Sequence, residues 1–133
     1  MTTIEYKTDI VPDTEAIIEV YNSSGINRPT HDKERIAAMY ANSNLVVTAW
    51  HKEQLVGISR SLTDFCYACY LSDLAVKADY QKEGIGKQLI AQAQAVIGEQ
   101  TALILLAAPQ AMEYYPKVGF DNIQNGFIMK RKK

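Results

Sequence analysis

The sequence lacks several features that would place it in a specialised class of protein. It has two cysteines, too few for a disulfide framework, and its longest apolar run, residues 102–109, is roughly eight residues against the ~20 that span a bilayer. Neither sign of charge dominates, because 14 Lys and Arg face 15 Asp and Glu, a net charge of −1. These absences argue against a disulfide scaffold, a membrane protein and a nucleic-acid-binding protein.

What the sequence does have is enough apolar material for one core. Its 133 residues are 47% hydrophobic and 22% charged, which favours a folded chain over a disordered one. We therefore expect a single domain covering residues 1–133. Residues 1–11 include acids where a signal peptide needs bases, so we expect a cytoplasmic protein with no membrane or nucleic-acid partner.

The two cysteines, Cys66 and Cys69, form a C-x-x-C pair, a spacing found in redox pairs and in half of a zinc site. Residues 62–76 contain no Gly or Pro and are rich in apolar side chains, which predicts a strand. In a strand, positions three apart face opposite sides, so the two sulfurs would point apart. Since His31 and His51 are isolated in the sequence, we predict two buried thiols and no metal site.

The pattern of apolar residues predicts alternating groups of strands and helices. We expect a strand at residues 3–8, a helix ending near residue 22, and a second helix capped by Thr30 or Asp32. The other predicted elements are strands at 45–50, 55–62 and 67–76, a helix from 84 to 98, a strand at 102–107 covered on both faces, a short helix at 109–115 and a last strand at 123–130. Consecutive strands in the middle require antiparallel pairing, so the fold class is α/β with a mixed sheet.

A glycine turn follows the strand at residues 67–76 and opens the next helix. The first N–H groups of a helix lack intrahelical partners and lie at the positive end of its dipole, so they can bind an anion. Gly84 and Gly86 would let a diphosphate approach the backbone, with Lys82 and Lys87 nearby. The turn does not match a Walker loop or a dinucleotide fingerprint. The alternative is that both glycines only shape a loop.

Two segments taken together resemble the signatures of the GNAT acyltransferase superfamily. Residues 81–86 match its acetyl-CoA signature: Gln or Arg, two residues, Gly, one residue, then Gly or Ala. Residues 114–120 match its late signature: an aromatic, Tyr, two residues, a hydrophobe, Gly and Phe. The resemblance extends to the predicted element order and covers nearly the whole chain. It implies a mixed, mostly antiparallel central sheet flanked by helices.

The resemblance also implies an activity. Such proteins are N-acetyltransferases that move an acetyl group from acetyl-CoA to a primary amine by direct attack in a ternary complex, without a metal. The acceptor would be a small molecule or a peptide. The alternative is a non-catalytic module that binds coenzyme A or acyl-CoA as a sensor. Because sheet-edge dimers are common in this superfamily, a second copy of the chain is a candidate partner.

Site residues can be transferred from the family by position. The strand before the turn would pair its main chain with the pantetheine arm, and the turn would hold the diphosphate; the residues implied are Leu74, Ala75, Val76, Gln81, Lys82, Glu83, Gly84, Ile85, Gly86 and Lys87. Tyr115 matches the family's general acid. A phenol of pKa about 10 is still protonated at pH 7 and can give its proton to a departing thiolate whose thiol has a pKa near 8.5. We expect its neighbour Tyr114 in the core.

Other positions depart from the family or stay open. Ala108 stands where many members have an Asn that binds the cofactor arm. No fixed general base exists in the family, and Asp64 and Asp73 are the candidates here. Residues 22–30 would form the acceptor site, where we place Asn27 and Arg28 as substrate-binding residues, Arg28 by gripping a carboxylate. The alternative for Arg28 is a plain surface loop residue. Gly25 would make this connection mobile.

Overall fold

The computed structural model describes residues 3–133 and contains one five-stranded sheet. Its strands are β1 (Glu5–Lys7), β2 (Leu45–His51), β3 (Gln54–Thr63), β4 (Ala68–Val76) and β5 (Ala102–Ile104). Its helices are α1 (Thr14–Ser24), α2 (Lys33–Ala41), α3 (Ile85–Ile97) and α4 (Tyr114–Lys117), with 3₁₀ turns at Ala78–Tyr80 and Pro109–Ala111.

The strands lie side by side in chain order. β1 to β4 pair antiparallel, and β5 joins β4 in parallel after α3 has crossed over the sheet. A parallel neighbour requires such a crossover, whereas the short connections in the middle of the chain allow only antiparallel pairing. The prediction of a mixed, mostly antiparallel sheet flanked by helices is therefore confirmed.

Each face of the sheet is covered by helix. α1 and α2 pack one face, where Ile17, Tyr21 and Ile36 are buried against Ile58 and its neighbours. α3 packs the opposite face, burying its own apolar stripe of Ile85, Leu89, Ala93 and Ile97 against Val47, Val56 and Cys69. The sheet thus lies between two apolar layers, and packing against the sheet fixes the position of α3.

Three polar or flexible residues set the helix ends. The Asp32 side chain accepts a hydrogen bond from the N–H of Arg35 and so caps α2, as predicted. Gly98 ends α3, also as predicted. Gly25 ends α1 in the left-handed conformation, with φ +81° and its N–H bonded to the Tyr21 carbonyl. The glycine at position 25 is therefore explained by its role as a helix cap. The mobility of the α1–α2 connection stays a prediction.

The end of the chain departs from the prediction. β5 has only three residues, and Ile104 and Leu106 are 42% and 62% exposed, so the strand expected at residues 102–107 is neither complete nor covered on both faces. No strand forms at residues 123–130, where Phe127 is 99% exposed. A strand forms only where its main chain pairs with a neighbour, and residues 123–130 pair with none of the five strands.

Two local predictions also need correction. The single helix expected at residues 109–115 is a 3₁₀ turn followed by the separate α4. Cys69 is buried in β4, but Cys66 is exposed and lies before that strand. The reason is a tight turn in which the Asp64 carboxylate accepts hydrogen bonds from three successive N–H groups, those of residues 66–68.

Residues 3–133 contain neither a bilayer-spanning helix nor a cluster of metal ligands. None of the helices there has the length and apolar character that crossing a bilayer requires. Among the same residues, no three His, Cys, Asp or Glu side chains are grouped so that they could hold a metal ion.

Candidate active site

A large cleft opens where β4 and β5 separate. The two strands pair for three residues, 68–70 against 102–104, after which β4 continues to Val76 with no neighbour on that side. The chain after β5, residues 105–108, forms the opposite wall. The cleft measures about 1400 Å³. Since pockets for one drug-sized ligand are roughly 300–1,000 Å³, it has room for two substrates together.

A β-bulge determines which main-chain groups of β4 face the cleft. Arg60 pairs with Asp73 but Ser61 pairs with Leu71, so Ser72 is an extra residue without a partner on β3. Beyond the bulge, the N–H of Lys77 donates to the Val56 carbonyl of β3. Because main-chain groups alternate in direction along a strand, those of 73 and 75 face β3 and those of 74 and 76 face the cleft.

Of the three β4 residues predicted to offer main-chain contacts to a ligand, two face the cleft and one faces β3. Leu74 and Val76 direct their N–H and C=O groups into the cleft, although the Val76 carbonyl already accepts a hydrogen bond from the Gln81 side chain at 2.9 Å. Ala75, between them, has its main-chain groups engaged with β3. The free edge of β4 thus offers mainly the two groups of Leu74 to an extended ligand.

The N-terminus of α3 forms one end of the cleft. The first helical hydrogen bond runs from Gln88 to Gly84, so the N–H groups of residues 85–87 have no partner inside the helix. Gly84 lies in the left-handed conformation with φ +82°, no side chain caps the helix, and its first turn contains no acid. Lys82, with φ +68°, and Lys87 line the cleft beside this turn. These features together form a site suited to an anion.

Gly86 is a point of close approach. A Cβ built at this position would lie 2.7 Å from the Tyr114 hydroxyl and 3.9 Å from Leu74. No real Cβ contact is that short, so any other residue at 86 would displace the tyrosine or block the floor of the cleft. Glycine at 86 leaves room for the Tyr114 hydroxyl, whereas at Gly84 it allows the left-handed backbone angle.

Both tyrosines of α4 line the cleft. Tyr114 is 38% exposed with its hydroxyl over the α3 turn, so the expectation that it lies in the core is wrong. Tyr115 is half-buried, and its ring meets those of Tyr114 and Phe120 edge-on, with centroids 5.2 Å and 5.5 Å away. Its hydroxyl makes no hydrogen bond to any other residue in the described part of the chain, so it is free to meet a ligand.

Burial determines the protonation state of Tyr115. Burial raises the pKa of its phenol above the ordinary value of 10, the neighbouring Tyr114 raises it further, and the positive charge of Arg28 opposes both effects. The net effect is that the pKa of Tyr115 is raised. Tyr115 is therefore a protonated donor throughout the neutral range.

A buried carboxylate anchors the other end of the cleft. Asp73, at the bulge in β4, is fully buried and accepts four hydrogen bonds. The donors are Arg28 Nε (2.7 Å) and Ser72 Oγ (3.0 Å) on one oxygen, and the Tyr21 hydroxyl (2.5 Å) and Arg60 Nε (2.9 Å) on the other. Burial alone would raise the pKa of Asp73, but the hydrogen bonds from Arg60 and Tyr21 and the charge of Arg28 outweigh burial and lower it.

Neither candidate base can take a proton from a substrate. Asp73 is ionised, has four donors on it and does not line the cleft. Asp64 lies in the β3–β4 turn, where backbone hydrogen bonds from residues 66–68 lower its pKa to about 2. Both carboxylates are held by structural hydrogen bonds away from the cleft, which favours the alternative that they are ordinary polar partners and leaves the general base unassigned.

Arg28 is more than a plain loop residue. Besides its bond to Asp73, its Nη1 donates to the Asn27 carbonyl and its Nη2 to the Ser72 carbonyl, both at 2.7 Å. Its side chain is still 27% exposed and lines the cleft. Arg60, which has no sequence signal, is buried beside it and donates to Ser43 and Ser72. A lone arginine in a strand cannot be assigned a partner from sequence alone, which is why this cluster was missed.

All but one of the predicted site residues lie on this cleft. Those that line it are Asn27, Arg28, Leu74, Ala75, Val76, Gln81, Lys82, Gly84, Ile85, Gly86, Lys87 and Tyr115. Glu83 is exposed in the turn and is not among the lining residues. Ala108 also lines the cleft, so the position where many GNAT proteins have Asn offers no side-chain hydrogen bond.

Comparisons with known proteins find relatives among curated sequences and among solved structures. An uncharacterized N-acetyltransferase, ycf52, of Gracilaria tenuistipitata var. liui is 31% identical over 71 residues, which are 52% of this chain and 39% of that protein. The ycf52 of Pyropia yezoensis is 27% identical over 65% of this chain and 53% of its own length. The chain thus spans about half or less of these curated relatives.

Solved structures share the fold. A probable acetyltransferase of meticillin-resistant Staphylococcus aureus superposes with a TM-score of 0.81 at 23% identity, over 97% of this chain and 100% of that one. An aminoglycoside N-acetyltransferase solved in complex with CoA superposes at 0.73 and 13% identity, over 100% and 97%. The family model for the GNAT acetyltransferase domain matches residues 16–131. With this match over most of its length and this fold, the chain belongs to the GNAT acetyltransferase family.

Proposed function

We propose that the protein is an N-acetyltransferase that moves an acetyl group from acetyl-CoA to a primary amine by direct attack, with both substrates bound at once. The observation that supports this best is that one cleft holds three different features. It brings together the uncapped N-terminus of α3, the free edge of β4 and the unpaired hydroxyl of Tyr115. Each would meet a different part of the reaction.

Binding of acetyl-CoA would use the backbone more than side chains. The N–H groups of residues 85–87 and the charges of Lys82 and Lys87 suit the diphosphate. The N–H and C=O of Leu74 suit an amide of the pantetheine arm, which would lie along β4 like an added strand. This arrangement would direct the thioester toward Tyr115 and the Asp73 cluster.

The chemistry needs one proton donor. The amine nitrogen attacks the thioester carbonyl carbon, a C–N bond forms and the C–S bond breaks. The Tyr115 hydroxyl gives its proton to the departing sulfur, and the new amide nitrogen loses its extra proton to water in the cleft. The sulfur becomes basic only as the C–S bond breaks, and because the pKa of Tyr115 is raised while that of a thiol is near 8.5, full transfer to the free thiolate is uphill. The hydroxyl therefore acts by a hydrogen bond that stabilises the charge developing on sulfur, and the phenolate left by proton transfer takes up, through water, the proton that the amide nitrogen releases.

The test of this chemistry is Tyr115→Phe. With an amine that supports thiol release from acetyl-CoA, we expect kcat to fall about 10- to 1000-fold, the range of a lost general acid. Tyr114→Phe is the matched control, because it removes the same atom from the adjacent ring. An undiminished kcat in Tyr115→Phe would remove this residue from the mechanism.

A second test addresses binding, which the catalytic and sensor alternatives share. Gly86→Glu would put a side chain and a negative charge where the turn approaches the cleft, so we expect calorimetry to detect no coenzyme A binding. Gln88→Glu adds the same charge two residues later, off the cleft, and should keep most of the affinity. Equal affinity in Gly86→Glu and the unmodified protein would contradict the proposed diphosphate site.

A further inference from the structure

The cleft has an unbalanced distribution of charge at its acceptor end. Among the described residues that line it there is no Asp or Glu. The cationic and imidazole side chains at the end away from α3 are His31, Arg35, Arg28, Arg60, Arg131 and Lys133, and Arg35 Nη2 makes one long hydrogen bond, of 3.5 Å, to the backbone oxygen of Lys133. The net charge of −1 for the whole chain hides this concentration.

The buried carboxylate offsets only part of this charge. Asp73 contacts both Arg28 and Arg60, so one of the two guanidinium charges has no counter-charge in the cluster. The other polar partners of these arginines are neutral: the hydroxyls of Ser43 and Ser72 and two backbone carbonyls. The cluster is therefore a fixed positive site beside the cleft.

Arg28 is the member that can reach a ligand. A guanidinium has five N–H donors, and three of those in Arg28 are used, one each on Nε, Nη1 and Nη2. One N–H remains on each terminal nitrogen, and the side chain is 27% exposed to the cleft. Arg60 is 8% exposed and has its three nitrogens occupied, so it supports Arg28 without reaching the cleft as freely.

From this geometry we infer that the acceptor is an amine that also bears an anionic group, a carboxylate or a phosphate, bound by Arg28 with Arg35 nearby. This inference rests on the proposed function and narrows its acceptor. Polyamines and aminoglycosides, which are polycations, would face uncompensated repulsion in such a site. An acidic amine would be held by charge-assisted hydrogen bonds and turned with its nitrogen toward the thioester.

The experiment compares matched amines at saturating acetyl-CoA. β-Alanine is paired with β-alaninamide, and phosphoethanolamine with ethanolamine, while spermidine and kanamycin represent polycations. We expect kcat/KM for one of the anionic amines to exceed that of its neutral counterpart about 10- to 100-fold. The pair that shows the difference identifies carboxylate or phosphate as the group bound. Equal rates within both pairs, or faster turnover of a polycation, would overturn the inference.

Variants separate this role from a structural one. Arg28→Gln should raise KM for the preferred anionic amine and leave the affinity for acetyl-CoA unchanged, with partial recovery in Arg28→Lys. Should Arg28→Gln fail to fold, the exposed Arg35→Gln serves the same purpose. Lys52→Gln removes a positive charge from the β2–β3 turn, off the cleft, and should change neither value. An unchanged KM in both arginine variants would overturn the inference.

Failure of the proposed function gives a different result. If acetyl-CoA binds but no amine on the panel releases thiol, the proposed catalysis fails. The anion preference is then measured by calorimetry, titrating the CoA-loaded protein with each matched pair. Tighter binding of the anionic member supports the inference without turnover, and equal binding overturns it.

Discussion

Asp73 holds together elements that are distant in sequence. It joins α1 through Tyr21, the α1–α2 connection through Arg28, and β3 through Arg60. With its carboxylate fully buried, these partners satisfy a charge that water cannot reach. Its role is to fix Arg28 at the cleft, which is the role of a polar partner and not that of the general base for which it was a candidate.

Asp73→Asn should therefore destabilise the protein strongly. Removing one member of a buried ionic cluster leaves the others uncompensated, and we expect the free energy of unfolding to fall by about 3–5 kcal/mol. Urea denaturation measures this, with the exposed Asp121→Asn as the control. A loss no larger than that of the control would show that the cluster contributes little to stability.

The stability difference between the unmodified protein and Asp73→Asn should depend on pH. The pKa of Asp73 is lowered in the folded state, so its stabilising contribution is fully present above the unfolded value of about 4 and is lost as the pH falls through the lower folded value. The stability difference between the unmodified protein and Asp73→Asn should therefore shrink below about pH 4. A difference that stays constant down to strongly acidic pH would contradict the lowered pKa.

At the scale of elements, the position of α3 depends on a glycine in β3. A Cβ on Gly57 would lie 3.2 Å from Ile85 and 3.3 Å from Leu89, both on the buried face of α3. The helix can lie this close to the sheet only because the strand has no side chain there. Ile85 immediately precedes Gly86, so the same contact positions the α3 turn.

Gly57→Val should move α3 away from the sheet. We expect a loss of about 1–3 kcal/mol in the free energy of unfolding, typical of an overpacked core, together with weaker coenzyme A binding. Denaturation and calorimetry on the same sample test the two effects. Gly126→Val is the control, because nothing lies within 4 Å of a Cβ there. Full coenzyme A affinity despite lost stability would show that the turn is positioned independently of Gly57.

The sequence predicted elements well where the signals were local. The cap at Asp32, the stop at Gly98 and the β2–β3 hairpin all depend on residues within a few positions of each other. The strand predicted at residues 123–130 did not form, because a strand depends on a partner that its own sequence does not specify. Cys66 was misplaced for a related reason, since the Asp64 turn determines where β4 begins.

In the candidate site, too, the residues that belong to local motifs were predicted and those that depend on the assembled fold were not. The glycine turn and Tyr115 were found because each belongs to a compact motif, and both line the cleft. Arg60, Ser72 and the cleft position of Tyr114 gave no signal. Their roles depend on the register shift in β4 and on the approach of α4 to Gly86, which are properties of the assembled chain.

At the scale of the molecule, the homodimer stays a prediction. Phe127 and Met129 are almost fully exposed, at 99% and 98%, and β5 is an open sheet edge. Exposed apolar side chains and an unpaired sheet edge are each features that favour association of two copies. Sedimentation velocity over a wide concentration range should therefore detect self-association.

A double variant tests whether the end of the chain is responsible. Phe127→Ser combined with Met129→Ser should shift the protein toward monomer, whereas Val11→Ser, which removes an exposed apolar side chain elsewhere, should not. Identical sedimentation of the double variant and the unmodified protein would exclude these residues from any dimer contact.

Where β4 diverges from β5, the sheet lacks one strand partner. The two main-chain groups of Leu74 are left without a strand partner where the sheet would otherwise continue. A cosubstrate arm bound there would add to the architecture, so its binding and the folding of the sheet would be one linked equilibrium. At a concentration 100 times its Kd, such a ligand adds about 2.7 kcal/mol to the free energy of unfolding. The stability of this protein would then depend on the concentration of its cosubstrate.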